Sequence, residues 1–270
     1  AFARSSFGQP LSRLIFPLPN ERESAEADLL ALGGAVTSVT LASRALLALL
    51  KTLGLKADAI VGHSSGEFGA LLAAGAIAPR DDEELIQVLA DGADNAVALA
   101  RSGRVPAAVL TAVGGAEPQA VAAVVDRSAG RLRVAMDNCP SQVILSGDEA
   151  ATEEALEQLR GKGGLCERLP WGRAYHTADF APAVSIIEEY FDSVPLSEPT
   201  IEMWSCSSAA RYPREVAAVR NLAIEQWSTS VRFRETVQAM HASGVRVFIE
   251  VGPRGNLTNF ITDTLRSQPH

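Results

Sequence analysis

Residues Asp58 to Gly75 read DAIVGHSSGEFGALLAAG, and this stretch decides how the rest of the chain is read. Ala57 to Val61 is a short apolar run suited to a buried strand. Gly62-His63-Ser64-Ser65-Gly66 then fits G-x-S-x-G, with Ser64 at its centre. Phe68, Leu71 and Leu72 follow at i, i+3 and i+4, the spacing of a helical stripe, and Gly75 stands where that helix would close. Strand, tight turn and helix together are the context of a nucleophile elbow. In it the glycines would let backbone and side chains crowd the serine. The backbone N–H of Ser65, at the start of the helix, would face an oxyanion forming beside Ser64.

His63 and Glu67 extend the motif to G-H-S-x-G-E. This hexapeptide resembles the acyl-CoA:acyl-carrier-protein transacylases, in particular the acyltransferase domains of large polyketide and fatty-acid synthases. Two further stretches carry the same resemblance in the same order. Asp137-Asn-Cys-Pro-Ser-Gln-Val-Ile-Leu-Ser-Gly147 is similar to the family's N-x-P-x-x-x-x-x-S-G segment. Glu250-Val-Gly-Pro-Arg-Gly-Asn-Leu-Thr258 is similar to the closing motif of polyketide-synthase acyltransferases, in a form closest to the polyunsaturated-fatty-acid and enediyne synthase branch.

The composition agrees with such a domain. The chain has 270 residues, 47% apolar and 21% charged, enough for one large domain or a domain carrying an inserted subdomain. A net charge of −8 and the lack of any Lys/Arg run argue against nucleic-acid binding. Cys139, Cys166 and Cys206 are scattered without metal-ligand spacing and read as reduced thiols of a cytoplasmic protein. No apolar run reaches membrane-spanning length, Ala1–Arg13 lacks a signal-peptide pattern, and neither repeats nor low-complexity segments occur.

Taken in order, Leu11–Pro19 and the charged Asn20–Asp28 segment read as a surface connection. Val39, Leu46, Leu49, Leu50 and Leu53 form a helical stripe closed by Gly54, which feeds the Asp58 strand. Asp81–Ala100 is a helix with Gly92 in its middle, ended by Arg101–Arg104. The segment that follows has strands at Ala107–Val113, Leu132–Met136, Gln142–Leu145 and Leu165–Leu169, with helices at Glu117–Arg127 and Glu149–Leu159. That order, β-α-β-β-α-β, is ferredoxin-like. The remainder offers a helix at Ile186–Phe191, a strand at Ile201–Ser205, a helix at Arg232–His241 and a strand at Val245–Val251. The predicted fold is therefore α/β: an α/β-hydrolase-like parallel-sheet core (1–104 and 171–270) with an inserted ferredoxin-like subdomain (105–170) and a cleft between them.

Trp171-Gly-Arg-Ala-Tyr-His-Thr-Ala-Asp179 follows the insertion, where the chain returns to the cleft. Its His176 is the best partner for Ser64, since His63 sits inside the elbow, His241 in a helix and His270 at the end. The resemblance adds that Tyr175 and Thr177 flank His176 as in the family's A-F-H-S, and it places Tyr175 and His63 beside the substrate. It also implies that a backbone carbonyl near Asn256 holds the histidine tautomer; the Asn256 side chain reads equally well as a helix cap. Glu67 is expected in a hydrogen bond or ion pair at the helix start.

The resemblance implies acyl transfer through an acyl-serine, from acyl-CoA to the phosphopantetheine thiol of an acyl carrier protein, in polyketide or fatty-acid synthesis. No bound cofactor is implied, and the partners would be the carrier protein and neighbouring synthase domains. Three departures bear on it. The family's opening strand and Gly-Gln-rich turn, whose Gln gives a second oxyanion N–H, have no counterpart, so the chain is expected to begin downstream of them; Gly8-Gln9 has the wrong surroundings. Malonyl-type members also carry a carboxylate-binding arginine in the helix after the elbow. Here no arginine lies between Arg80 and Arg101, the region reads Gln87-Val-Leu-Ala-Asp91, and the family's Gln-Pro pair is replaced by Gly33-Gly-Ala-Val-Thr37. Arg173 is either a substitute for that arginine or a surface residue. A serine hydrolase or thioesterase and a degenerate scaffold domain of a synthase are the alternative readings.

Overall fold

The structure is a computed structural model that describes residues 11–30 and 32–270. Helices α1 (Leu11–Ile15), α2 (Arg22–Leu30) and α3 (Leu32–Thr52) lead to β1 (Ala59–Val61), α4 (Gly66–Ala73) and α5 (Asp82–Ser102). Next come β2 (Val109–Gly114), α6 (Pro118–Arg127), β3 (Leu132–Cys139), β4 (Gln142–Gly147), α7 (Glu149–Arg160) and β5 (Leu165–Arg168). The last third holds α8 (Val184–Ser193), β6 (Glu202–Ser205), β7 (Ala210–Arg211), α9 (Val216–Glu225), α10 (Phe233–Ala242) and α11 (Asn256–Thr264).

Local chemistry explains the helix starts. Asp81 accepts the Glu84 N–H ahead of α5, and Asp148 accepts the Ala151 N–H ahead of α7. Each satisfies an N–H that the helix itself leaves unpaired. Glu215 does the same for two N–H groups of α9, a helix that no pattern in the sequence had singled out.

Two sheets divide the strands. β1 runs parallel to β6, with Ile60 opposite Met203, and β7 adds an antiparallel edge. α4, α5 and α8 pack with this sheet around Leu71, Ile77, Leu99, Phe180, Ile187 and Met203. The second sheet is antiparallel in the order β3-β4-β2-β5, the strand arrangement expected of the ferredoxin-like repeat. On one face α6 and α7 bury Val121, Leu132, Leu145, Leu156 and Leu159. Its other face puts Leu110, Ala135 and Ile144 against Met136, Trp171 and Tyr175. The chain is thus an α/β fold whose second sheet leans its apolar face over the segment that carries His176.

Several expectations change. The N-terminal surface connection is helical: α1 and α2 pack through fully buried Leu14 and Ala25, with Leu29 and Leu41 against them. A charged composition concealed that narrow stripe, although burying one leucine contributes roughly 1.5–3 kcal/mol. α3 forms as predicted, but Leu46, Leu49 and Leu53 are exposed, and small polar residues (Thr37, Ser38, Thr40) occupy its buried side. β1 is half-buried rather than buried, because among the described residues it pairs on one side only. Val245–Val251 makes no ladder with any described strand, and Val247 and Ile249 are exposed. β-propensity marks a segment that suits a sheet; a partner is what makes it a strand.

Candidate active site

The elbow is built by one steric necessity and one strained residue. A Cβ on Gly62 would lie 2.3 Å from Glu67 Cα and 2.5 Å from its nitrogen, so only glycine lets strand and helix approach this closely. Gly66, the other motif glycine, has open space where its Cβ would be, so it is not sterically required here. Ser64 sits at φ 53°, a left-handed conformation that costs a non-glycine residue roughly 1–3 kcal/mol. The turn is closed by Gly66 N–H to the His63 carbonyl and Glu67 N–H to the Ser64 carbonyl. Among the described residues, nothing accepts the Ser65 N–H, which stands at the start of α4.

Ser64 Oγ lies 2.7 Å from His176 Nε2. His176 is buried, takes φ 58°, and is clamped by the loop after α9: its N–H donates to the Trp227 carbonyl and its Nδ1 donates to the Gln226 carbonyl at 2.9 Å. A carbonyl can only accept, so Nδ1 carries the proton and Nε2 is left to accept from the serine hydroxyl. Burial pulls the imidazole down to about 4, the Gln226 bond opposing and the nearby His63 assisting. The ring is therefore neutral at pH 7. A neutral imidazole in contact with a hydroxyl is the arrangement of a base and its nucleophile.

The carbonyl that fixes the tautomer is Gln226, not one near Asn256. Asn256 is exposed at the first position of α11, with Gly255 as the N-cap, so neither predicted role is seen there. The reason is topological: α9 brings Gln226 and Trp227 to His176, whereas α11 packs against α10 and β3. No side-chain pattern announces a backbone carbonyl, and the sequence held no signal for Gln226.

His63 is also placed differently. It is absent from the lining of the cleft that Ser64 faces, because the turn after β1 sends its ring toward the second sheet and α10. Its Nε2 donates to Asn138 Oδ1 at 2.7 Å, and its ring meets Phe233 edge-on at 5.2 Å. Burial pushes its pKa down, so it too is neutral. Asn138 in turn donates to Gln142 Oε1. The Asn of the Asp137–Gly147 segment thereby ties β3 of the second sheet to the elbow.

Glu67 is fully buried, and its carboxyl makes no bond to the N–H groups at the helix start. It accepts from the Tyr212 hydroxyl. Burial raises its carboxyl to about 8, with the Tyr212 bond pulling the other way, so it is held mostly as the neutral acid at pH 7. Cys206 stands close by, its thiol donating to the Gly62 carbonyl at 3.1 Å.

The cleft holds about 170 Å3 and is lined mainly by apolar groups. Ser64, Ser65 and Tyr175 line it, with Phe68 of α4, Leu89 and Leu99 of α5, Leu110 and Met136 from the second sheet, and Ile187 and Phe191 of α8. Val36 and Thr37, from the stretch that replaces the family's Gln-Pro pair, line it too. Apart from His176, no charged or basic side chain lines it among the described residues. Arg173 does not reach in: its guanidinium turns to the Val105 carbonyl at 3.4 Å, and its backbone bridges to Ala107. Asp91 is also absent from the lining and accepts from Gln87 on the outer side of α5, because the inward stripe of that helix falls on Leu89, Gly92, Asn95 and Leu99. Among the described residues no group of His, Cys, Asp and Glu has the geometry of a metal site, and no helix is long and apolar enough to cross a membrane. Gly8 and Gln9 lie outside the described residues.

Over residues 25–270 the sequence matches the family described as acyl transferase domain. The chain belongs to that family. It is 28% identical over 224 residues to the malonyl CoA-acyl carrier protein transacylase of Bacillus subtilis, covering 81% of this chain and 68% of that protein. Against polyketide synthase GfsA of Streptomyces halstedii it is 30% identical over 224 residues, covering 82% of this chain but 3% of that synthase. Its fold superimposes on an acyl-carrier-protein S-malonyltransferase from Burkholderia pseudomallei with a TM-score of 0.83 at 25% identity, covering 98% of this chain and 83% of the other. The chain is an acyltransferase domain of the kind found in fatty-acid and polyketide synthesis, and it corresponds to a small part of the long synthases.

Proposed function

We propose that this domain moves an uncharged acyl group from acyl-CoA, through an ester on Ser64, to the phosphopantetheine thiol of an acyl carrier protein. The observation that carries the reading is the 2.7 Å contact between Ser64 Oγ and a tautomer-fixed, neutral His176 at an apolar cleft. Ser64 attacks the thioester carbonyl while His176 Nε2 takes its proton, and the oxyanion faces the Ser65 N–H. Collapse expels the CoA thiolate, which takes the proton back from His176. The carrier thiol then attacks the acyl-serine with His176 as its base, and Ser64 is released with its proton. Atoms and protons balance: the CoA thioester and the carrier thiol become the CoA thiol and the carrier thioester.

The acyl group follows from charge. Malonate would bring a carboxylate into a lining that, among the described residues, offers no cation, and burying an unpaired charge is costly. The division into a core (1–104 and 171–270) and a subdomain (105–170) gives the cleft its two walls. The closing Glu250–Thr258 motif supports placement in the polyunsaturated-fatty-acid and enediyne synthase branch, with neighbouring synthase domains as partners.

The test is intact-protein mass after incubation with acetyl-, butyryl- and malonyl-CoA, then with a phosphopantetheinylated carrier protein. The expected result is an acyl adduct that is lost with Ser64→Ala, formed slowly with His176→Ala, and discharged to the carrier. Rapid release of free acid would indicate a hydrolase, and no adduct at all a scaffold domain. An adduct at the wild-type rate in Ser64→Ala would place the nucleophile elsewhere.

A further inference from the structure

Gly92 lies in the middle of α5, where glycine in place of alanine destabilises a helix by about 1 kcal/mol. Its surroundings give the reason. A Cβ there would meet Tyr190 Oη at 3.0 Å and Cζ at 3.3 Å. Tyr190 comes from α8 and lines the cleft together with Gly92. Its hydroxyl donates to the Val88 carbonyl at 3.0 Å, so the ring, and not the hydroxyl, is left to line the cleft. The ring is braced edge-on by Phe191 at 5.4 Å and tilted against Phe68 at 6.2 Å. A bare backbone on one helix thus admits a fixed aromatic ring from the other.

The cleft continues from Ser64 past Phe68 into the space between α5 and α8, reaching Leu99 and Ile187 in the main core. Its size bounds what can enter. A cleft of 170 Å3 exceeds by little the apolar cavity of roughly 150 Å3 that accommodates benzene. Each methylene that gains apolar cover strengthens binding by roughly fourfold. A methylene that must displace Tyr190 instead breaks a hydrogen bond and two ring contacts.

We propose that the Gly92–Tyr190 contact sets the acyl-chain length this cleft accepts, favouring straight, uncharged acyl groups of about four to six carbons. The inference rests on the acyl-serine reading given above.

The experiment measures kcat/KM for acylation of Ser64 by acetyl-, butyryl-, hexanoyl-, octanoyl- and decanoyl-CoA, followed by intact mass, in the wild type, Tyr190→Ala, Tyr190→Leu and Gly92→Ala. Circular dichroism establishes that each variant is folded. The wild type is expected to peak at butyryl or hexanoyl. Tyr190→Ala raises the octanoyl-to-butyryl ratio by roughly tenfold or more, from two newly covered methylenes. Tyr190→Leu, which keeps an apolar side chain, shifts the ratio the same way and serves if the alanine variant does not fold. Gly92→Ala crowds the ring and lowers the hexanoyl-to-acetyl ratio. A chain-length profile unchanged in a folded Tyr190 variant overturns this inference and leaves the acyltransferase reading standing. A wild type that takes only malonyl, or no acyl group, overturns that reading and this inference with it.

Discussion

Lowering the pH across the range where an ordinary histidine titrates separates a buried catalytic base from an exposed one. His176 must be neutral to accept the Ser64 proton, and burial holds its pKa at about 4, below the ordinary 6.5. A lowered pKa means the base is fully available above that value and is lost as pH falls through it. At pH 5.5 about 97% of His176 is then neutral, against about 9% for an unshifted histidine, a tenfold difference in expected rate. The assay is single-turnover acylation by butyryl-CoA between pH 5 and 8, quenched and read by intact mass, with kcat/KM reporting the free enzyme. The profile should be flat to below pH 5.5. The same shift has a cost in stability: the unfolded chain binds a proton below about 6.5 that the folded protein refuses until about 4. Stability therefore declines as pH falls through that window, by up to about 3 kcal/mol, and circular dichroism at each pH keeps unfolding apart from titration. A half-maximal rate at pH 6 to 7 in folded protein would refute the assignment of buried His176 as the base.

Glu67→Gln retains an acceptor for the Tyr212 hydroxyl and cannot ionise. The wild-type carboxyl is raised from 4.5 to about 8, so its stability falls as pH rises across that interval; the variant should match the wild type near pH 4.5 and exceed it at pH 8 by roughly 2–4 kcal/mol in denaturant titrations. Parallel stability curves from pH 5 to 8 would mean the carboxyl is ionised in the fold. Asn138→Ala leaves the His63 Nε2–H without an acceptor and should cost about 1–3 kcal/mol; a loss below about 0.5 kcal/mol would show that this bond does not fasten the two sheets. Leu89→Arg puts a cation on the inward stripe of α5 and should raise the malonyl-to-acetyl ratio of kcat/KM roughly ten- to a hundred-and-fifty-fold. An unmoved ratio would mean that Leu89 does not adjoin the acyl group.

Local patterns determined much of this protein. The G-H-S-x-G-E hexapeptide, with an apolar run before it and a helical stripe after it, fixed the elbow, because strand, turn and helix each depend on residues within one or two turns. The β-α-β-β-α-β order of residues 105–170 was legible for the same reason, each element bearing its own period. His176 was reached by elimination among four histidines, and the fold brings it onto Ser64. Tertiary structure decided the rest. Which carbonyl holds the His176 tautomer depends on where α9 packs, and a backbone oxygen leaves no mark in the sequence. His63 and Asn138 meet across 75 positions, and Glu67 and Tyr212 across 145. The inward face of α5 depends on its rotation against α8, which turned Asp91 outward and gave Gly92 to Tyr190. Val245–Val251 has the composition of a strand and lacks a described partner, since pairing is a property of two segments and composition of one.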